Sequence, residues 1–185
     1  MINEEEFRKL ITNRYVLFDT NVFIRAFQNF DSFEVLVSFL RGCEVDGVSF
    51  PLIKFEFLRT SFAPDNRKSR EDFIDRIAPS SLSFRSQIID DALDIARMYA
   101  SKGVRGGESS KAISLVDCCI AAYLKQYATN LFLITLNHKD FPQLLFDRLF
   151  VFPIEAGDEV LPIAFYRFNV GKWNKCLEDF KKLGK

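Results

Sequence analysis

A short run of apolar residues that ends in an acid limits the folds open to this chain. Residues 15–18 are Tyr-Val-Leu-Phe, and Asp19 follows them directly. An apolar run of this length, rich in aromatic and β-branched residues, predicts a strand buried on both faces. Asp19 then lies at the carboxyl edge of the sheet, where open α/β folds bind their ligands. Because an ionised carboxylate is costly to bury, we expect Asp19 to contact solvent, a partner or a cation.

Strands and helices alternate along the rest of the chain. Further strands are predicted at 45–50, 131–135 and 150–152, and another within 154–185. This alternation predicts an α/β fold with a mostly parallel central sheet. The basic stretch 62–70 is predicted to be a loop, and 104–110 the most flexible segment. The main predicted helices cover 4–13, 20–27, 32–40, 85–102, 112–128 and 139–149, with one more opening at Pro51.

Composition narrows the classes of protein to consider. The 185 residues carry 25 basic and 25 acidic side chains, so nucleic acid would have to bind through a local basic patch or metal ions. We expect no membrane partner, because the chain lacks a signal-peptide pattern and a run of ~20 apolar residues. The cysteines are predicted to be reduced thiols of a cytoplasmic protein, since they show no CxxC or zinc-type spacing; they are Cys43, Cys118, Cys119 and Cys176.

Acidic side chains recur where predicted strands end and the next helices begin. Glu56 lies about two turns into the helix after the second strand, and Asp117 lies in the second turn of a long helix. Asn137 and Asp140 follow the strand 131–135. Carboxylates gathered at one edge repel one another unless a hard cation such as Mg²⁺ lies between them. Such a group suits metal-assisted hydrolysis of a phosphodiester.

Four segments occur in an order that is typical of one protein family. The chain has FDTN at 18–21, FEFLR at 55–59, SLVDCCIAAYL at 114–124 and LFLITLNHKDF at 131–141. With these segments it resembles the PIN-domain family, which includes the VapC-type ribonuclease toxins of prokaryotic toxin–antitoxin pairs. The family pattern is D-[ST]-N after the first strand, a later helical Glu, an Asp opening a long helix, and a strand followed by T-x-[DN]. Each segment alone is weak evidence for the family, whereas all four in this order and at this spacing are strong evidence.

This resemblance implies a three-layer α/β/α fold with a ribonuclease site that depends on Mg²⁺ or Mn²⁺. The core acids of the family correspond to Asp19, Glu56 and Asp117, which are the implied metal ligands and catalytic residues. Thr20 and Asn21 are expected to orient Asp19.

The fourth acidic position departs from the family pattern. Many members have Asp where this chain has Asn137, which is expected to support the site without binding metal. Asp140 matches an acid found in members with the T-x-N-x-x-D-F form and is the fourth implied catalytic residue. A neutral Asn at this position is expected to weaken a second metal site.

The resemblance also implies a biological role. We expect an endoribonuclease that hydrolyses phosphodiester bonds in single-stranded or structured RNA, as a toxin paired with an antitoxin protein, and we expect a homodimer. Residues 1–153 would be the nuclease domain, and 154–185 a C-terminal extension packed on it. Asn137 and this extension motivate an alternative, a catalytically weak PIN-like module for RNA binding or assembly. A third alternative is another Mg²⁺-dependent α/β phosphohydrolase. The chain has no glycine-rich phosphate loop after the first strand, which argues against a nucleotide-triphosphate site.

Simpler interpretations of the same residues stay open at this point. Asp19 is a good helix N-cap, and Glu56 can be a solvated helix acid. Asp140 can pair with Lys139 or Arg148, or cap a short helix. The basic residues of the flanking segments either hold an RNA backbone or remain solvated; they are Arg67, Lys68, Arg70, Lys102, Arg105 and Lys111.

Overall fold

Six strands form one mixed sheet in the computed structural model, which describes residues 1–59, 61–103 and 113–183. The order across the sheet is β3-β2-β1-β4-β6-β5, parallel from β3 to β4, with β6 antiparallel to both of its neighbours. The predicted α/β class with a mostly parallel sheet is therefore confirmed. The strands are β1 Tyr15–Phe18, β2 Asp46–Ser49, β3 Ser80–Ser81, β4 Leu131–Thr135, β5 Phe146–Ala156 and β6 Glu159–Phe168.

Eight helices accompany these strands in the described part of the chain. They are α1 Glu4–Ile11, α2 Thr20–Gln28, α3 Phe30–Gly42, α4 Pro51–Leu58, α5 Pro64–Ile77, α6 Ser86–Ser101, α7 Leu115–Gln126 and α8 Val170–Leu183. Helix α2 packs against α3, α4 and α5, while α6 packs against α7 and α8. Parallel strands need such crossover connections, and these helices supply them.

Strand β1 lies between two parallel partners and sets the position of the first acid. It pairs with β2 on one side and β4 on the other. Val16, Leu17 and Phe18 are buried, as the apolar run predicts, whereas Tyr15 at the start of the strand is exposed. The backbone N–H of Asp19 donates to the carbonyl of Ile134 at 3.0 Å. Asp19 is therefore held at the carboxyl ends of β1 and β4.

The loop predicted for residues 62–70 is wrong, because helix α5 begins at Pro64. Proline suits the first helical turn, where no N–H donor is needed. The first half of α5 lacks an apolar stripe and is supported by side-chain pairs one turn apart, such as Arg67 with Glu71 at 2.9 Å. Its buried residues, Phe73, Ile74 and Ile77, come only in the second half.

The helix predicted over 139–149 is also wrong. The chain turns at residues 142–145 and enters β5, which pairs with β6 along most of its length. Phe141, Leu145 and Leu149 have helical spacing, and all three are buried without a helix. Long-range pairing with β6 overrides the local pattern here, as β-pairing often does.

The C-terminal segment is built more deeply into the sheet than its predicted role as an extension implies. Residues 159–168 form β6, which lies between β4 and β5. The Cα of Thr135, the last residue of β4, is paired with Ala164. Strand β6 thus supports β4, the strand that precedes Asn137 and Asp140.

Other sequence-based predictions concern cysteines, membranes and flexibility. All four cysteines are free and buried. No helix among the described residues combines the length and apolarity needed to cross a membrane. The predicted flexible segment 104–110, with Arg105 and the nearby Lys111, lies outside the described residues.

Replacing Gly47 with alanine is expected to destabilise the protein by about 1–3 kcal/mol, because the sheet has no room for a side chain there. A Cβ at Gly47 would overlap the carbonyl oxygen of Ile77, so β2 and the end of α5 would have to separate. Denaturant unfolding measures the change. Gly42→Ala is the matched control, since nothing lies within 4 Å of its added Cβ. Equal stability of the two variants would contradict the close approach.

Candidate functional site

Asp19 is buried and is held by two neutral donors. It occupies the N-cap position of α2, yet its side chain makes no capping hydrogen bond. The hydroxyl of Thr135 and the side-chain amide of Asn21 each donate to Asp19 Oδ2 at 2.6 Å. The carboxylate is thus oriented across the sheet edge, toward β4, instead of capping its own helix.

Glu56 is brought beside Asp19 by helix packing. The ring of Phe23 on α2 lies 5.7 Å from that of Phe57 on α4, and this contact fixes the two helices together. The hydroxyl of Thr20 then donates to Glu56 Oε2 at 2.7 Å. The hydroxyl of Thr20 is therefore directed to Glu56 and not, as expected, to Asp19, to which Asn21 donates instead.

Asp117 lies in the first turn of α7, one turn earlier than predicted, because the helix begins at Leu115. Ser114 is the N-cap. Its Oγ accepts from the N–H of Asp117 at 3.1 Å and donates to Asp117 Oδ2 at 2.5 Å. A carboxylate is favoured at a helix N-terminus by the helix dipole. The following residues of α7 are buried, so Asp117 is anchored on a rigid helix.

Asn137 and Asp140 form a pair in the segment after β4. The side-chain amide of Asn137 donates to Asp140 Oδ2, and its backbone N–H donates to Thr135 Oγ1 at 2.8 Å. Asp140 is only 6% exposed, and its carbonyl accepts from the hydroxyl of Tyr99 at 3.4 Å. No helix follows Asp140, so the helix-cap interpretation of this residue is wrong.

The four carboxylates share one electrostatic environment. The pKa of Asp117 is raised to about 7, mainly by burial and also by the neighbouring acids Asp19, Asp140 and Glu56. Burial likewise raises the pKa of Asp19 to about 6, although its hydrogen bonds lower it and Glu56 adds to the rise. Both shifts mean that the charged forms are poorly compensated at neutral pH.

The carboxylate oxygens of Asp19, Glu56 and Asp117 suit a hard cation, but they do not yet form a complete set of metal ligands. Within the described residues, none of Asp19, Glu56 or Asp117 forms an ion pair with a lysine or arginine. In the same part of the chain, no three Asp, Glu, His or Cys side chains form a ready-made metal-ligand group. Oxygen donors with uncompensated charge suit Mg²⁺ or Mn²⁺, which keep several waters. Binding therefore requires the carboxylates to move closer together.

The predicted site residues fall into three hydrogen-bonded groups in the described part of the chain: Asp19, Asn21, Asn137 and Asp140 around Thr135, Thr20 with Glu56, and Asp117 with Ser114. Thr135, Ser114 and Tyr99 contact the acids directly or hold their backbone. Ser114 carried a sequence signal, because a serine three residues before an acid is a capping pattern. Thr135 is the threonine of the T-x-[DN] pattern, although its contact with Asp19 could not be predicted from that pattern, and Tyr99 carried no signal because its role depends on a contact with the segment after β4.

The basic residues predicted to flank the site differ in their surroundings. Arg67 pairs with Glu71, and Lys102 pairs with Asp179. The guanidinium of Arg70 donates to the carbonyl of Phe57 at 2.5 Å. Lys68 is exposed, and Arg105 and Lys111 lie outside the described residues. Among these described residues, Arg70 joins α5 to α4, whereas Arg67 and Lys68 remain exposed on α5.

Comparison with known proteins gives no family assignment for this arrangement. No protein-family model matches the chain, and no curated protein matches it.

Proposed function

We propose that this protein is a metal-dependent endoribonuclease of the PIN class. The observation that supports this best is the way its acids are held. Asp19, Glu56 and Asp117 come from three different elements and are each oriented by a hydroxyl or amide. Neutral donors fix the direction of a carboxylate without cancelling its charge, so the charge stays available for a cation.

The proposed reaction is hydrolysis of a phosphodiester bond. Asp19, Glu56 and Asp117 would hold Mg²⁺ or Mn²⁺, with Asp140 as the neighbouring acid. When bound, such a cation supplies an acidified water and stabilises negative charge on the phosphate. Net addition of water across the bond between phosphorus and the 3′ oxygen would leave a 5′-phosphate and a 3′-hydroxyl, with one proton of the water ending on the 3′ oxygen. Thr20, Asn21 and Ser114 keep the acids in place for this step.

The finer structural and biological parts of the proposal follow from the same resemblance. The two packed groups of helices are consistent with a three-layer α/β/α arrangement of the PIN type. We propose that the protein acts in the cytoplasm as the toxin of a toxin–antitoxin pair and forms a homodimer. Growth arrest on expression would support the toxin role, whereas harmless expression of an active nuclease would favour a housekeeping role.

The direct test is cleavage of a panel of single-stranded and structured RNAs by the purified protein with Mn²⁺. We expect cleavage products with 5′-phosphates, and we expect Asp19→Asn to abolish cleavage. Asp90→Asn on the exposed side of α6 is the control, because it removes one surface charge outside the site. If wild type and Asp19→Asn are equally inactive on every RNA, the proposal is wrong.

A catalytically weak RNA-binding or assembly module is the second candidate. It is favoured by Asn137 at the fourth acidic position and by the absence, among the described residues, of a closed ligand group. Calorimetric titration separates the two candidates. A nuclease should bind Mn²⁺ with a sub-millimolar dissociation constant, and a degenerate module should not.

A further inference from the structure

The side-chain amide of Asn21 has only one workable orientation. The backbone N–H of Leu136 donates to Asn21 Oδ1 at 3.1 Å, so the NH₂ group turns the other way. That Nδ2 lies 2.6 Å from Asp19 Oδ2 and 3.3 Å from Thr135 Oγ1. A flipped amide would set its NH₂ against the N–H of Leu136, donor against donor. The backbone after β4 thus decides which end of Asn21 faces the acid.

This orientation in turn fixes the direction of the Thr135 hydroxyl. The residue is 0% exposed, and a hydroxyl has one donor proton and two acceptor positions. Its oxygen faces two N–H donors, the backbone of Asn137 at 2.8 Å and the Nδ2 of Asn21 at 3.3 Å. Its single proton is therefore left for Asp19 Oδ2, which is 2.6 Å away.

We infer that Thr135 is a positioning residue that locks the carboxylate of Asp19 through Oδ2 in its ligand-binding orientation. Two donors converge on that oxygen, so rotation of the carboxylate breaks both hydrogen bonds. The same hydroxyl accepts from Asn137, whose side chain holds Asp140. Thr135 thereby joins the first acid of the site to the last. This inference rests on the proposed function only for the identity of the ligand, which is a divalent cation.

Calorimetric titration with Mn²⁺ tests this role in two variants of Thr135. Valine has nearly the same shape and lacks the hydroxyl, so Thr135→Val is expected to weaken Mn²⁺ binding by about 10–100-fold. Thr135→Ser keeps the hydroxyl and is expected to bind Mn²⁺ as the wild type does. The inference is overturned if valine has no effect or if serine loses as much affinity as valine.

A control variant on the same strand distinguishes the proposed positioning role of Thr135 from a purely structural role. Ile134 is 0% exposed, so Ile134→Ala also lowers the melting temperature. We expect Ile134→Ala to leave Mn²⁺ affinity unchanged, although it is no more stable than Thr135→Val. An equal loss of affinity in both variants would show that general loosening of β4, and not the hydroxyl, is responsible.

A measurement without metal keeps this inference distinct from the nuclease proposal. By NMR, the hydroxyl proton of Thr135 should exchange slowly with solvent in the metal-free protein, and this protection should be lost in Asp19→Ala. Fast exchange in the wild type, or protection that survives in Asp19→Ala, would refute the assigned hydrogen bond. Failure of the wild type to bind Mn²⁺ would instead refute the proposed function.

Discussion

Replacing Asp117 with asparagine is expected to abolish Mn²⁺-dependent RNA cleavage while making the metal-free protein more stable at pH 8. Because Asp117 is a proposed metal ligand, its loss should reduce the cleavage rate by roughly 100-fold or more, which corresponds to about 3 kcal/mol in the barrier. The gain in stability follows from the pKa of Asp117, which burial raises to about 7, with Asp19, Asp140 and Glu56 adding to it. We expect the free energy of unfolding to rise by on the order of 1–3 kcal/mol at pH 8.

The pH dependence of that stability has a definite sign. The pKa of Asp117 is 3.8 in an ordinary environment and about 7 in the folded protein. Between these values the folded state binds more protons than the unfolded state, so stability falls as pH rises through this window. Metal-free wild type should therefore be more stable at pH 5 than at pH 8, and Asp117→Asn should show a shallower decline. Urea unfolding at several pH values measures both slopes.

Asp147 provides a control of opposite sign. Burial alone would raise its pKa, but hydrogen bonds from Lys172, Asn169 and Arg167 outweigh burial and lower it. Asp147→Asn should therefore destabilise the protein at pH 8, where Asp117→Asn stabilises it. A stability loss in both variants would mean that the Asp117 charge is compensated in the metal-free protein and that the site has no need of a cation.

Adding Mn²⁺ is expected to raise the melting temperature strongly at pH 8 and to have little effect at pH 5. At roughly 100-fold above its dissociation constant, a ligand stabilises the folded state by about 2.7 kcal/mol. For a chain of this size that corresponds to about 5–10 °C. The effect should fade below neutral pH, because burial raises the pKa of Asp19 to about 6 and that of Asp117 to about 7. Protonated carboxyl groups lose the charge that attracts the cation.

Thermal unfolding with Mn²⁺, with Mg²⁺ and with excess chelator measures this linkage. The chelator should return the melting temperature to its metal-free value, and Asp19→Asn should remove the response. A shift of equal size at pH 5 and pH 8, or one that persists in Asp19→Asn, would place the bound metal elsewhere on the protein.

Local sequence patterns predicted the secondary structure correctly where the residues of one segment are enough to determine it. The apolar run at 15–18 predicted a buried strand, and Pro51 predicted the start of α4. Patterns failed at 62–70, where charged side chains form a helix without an apolar stripe, and at 139–149, where helical spacing occurs in a turn and a strand. In both segments the outcome depends on partners distant in sequence, namely the core around Phe73 and strand β6.

The sequence by itself determined which acids are available and at which strand exits and helix starts they lie. Only the tertiary structure decided how Asp19 and Glu56 are held, because the hydrogen bonds of Thr135 and Thr20 join side chains that lie far apart in the chain. Thr20 reaches Glu56, and Thr135 reaches Asp19 across more than a hundred residues. Periodicity reports which face of an element is buried, but it carries no information on which hydroxyl will meet which carboxylate. That pairing follows from the parallel register of β1 with β4 and the packing of α2 on α4.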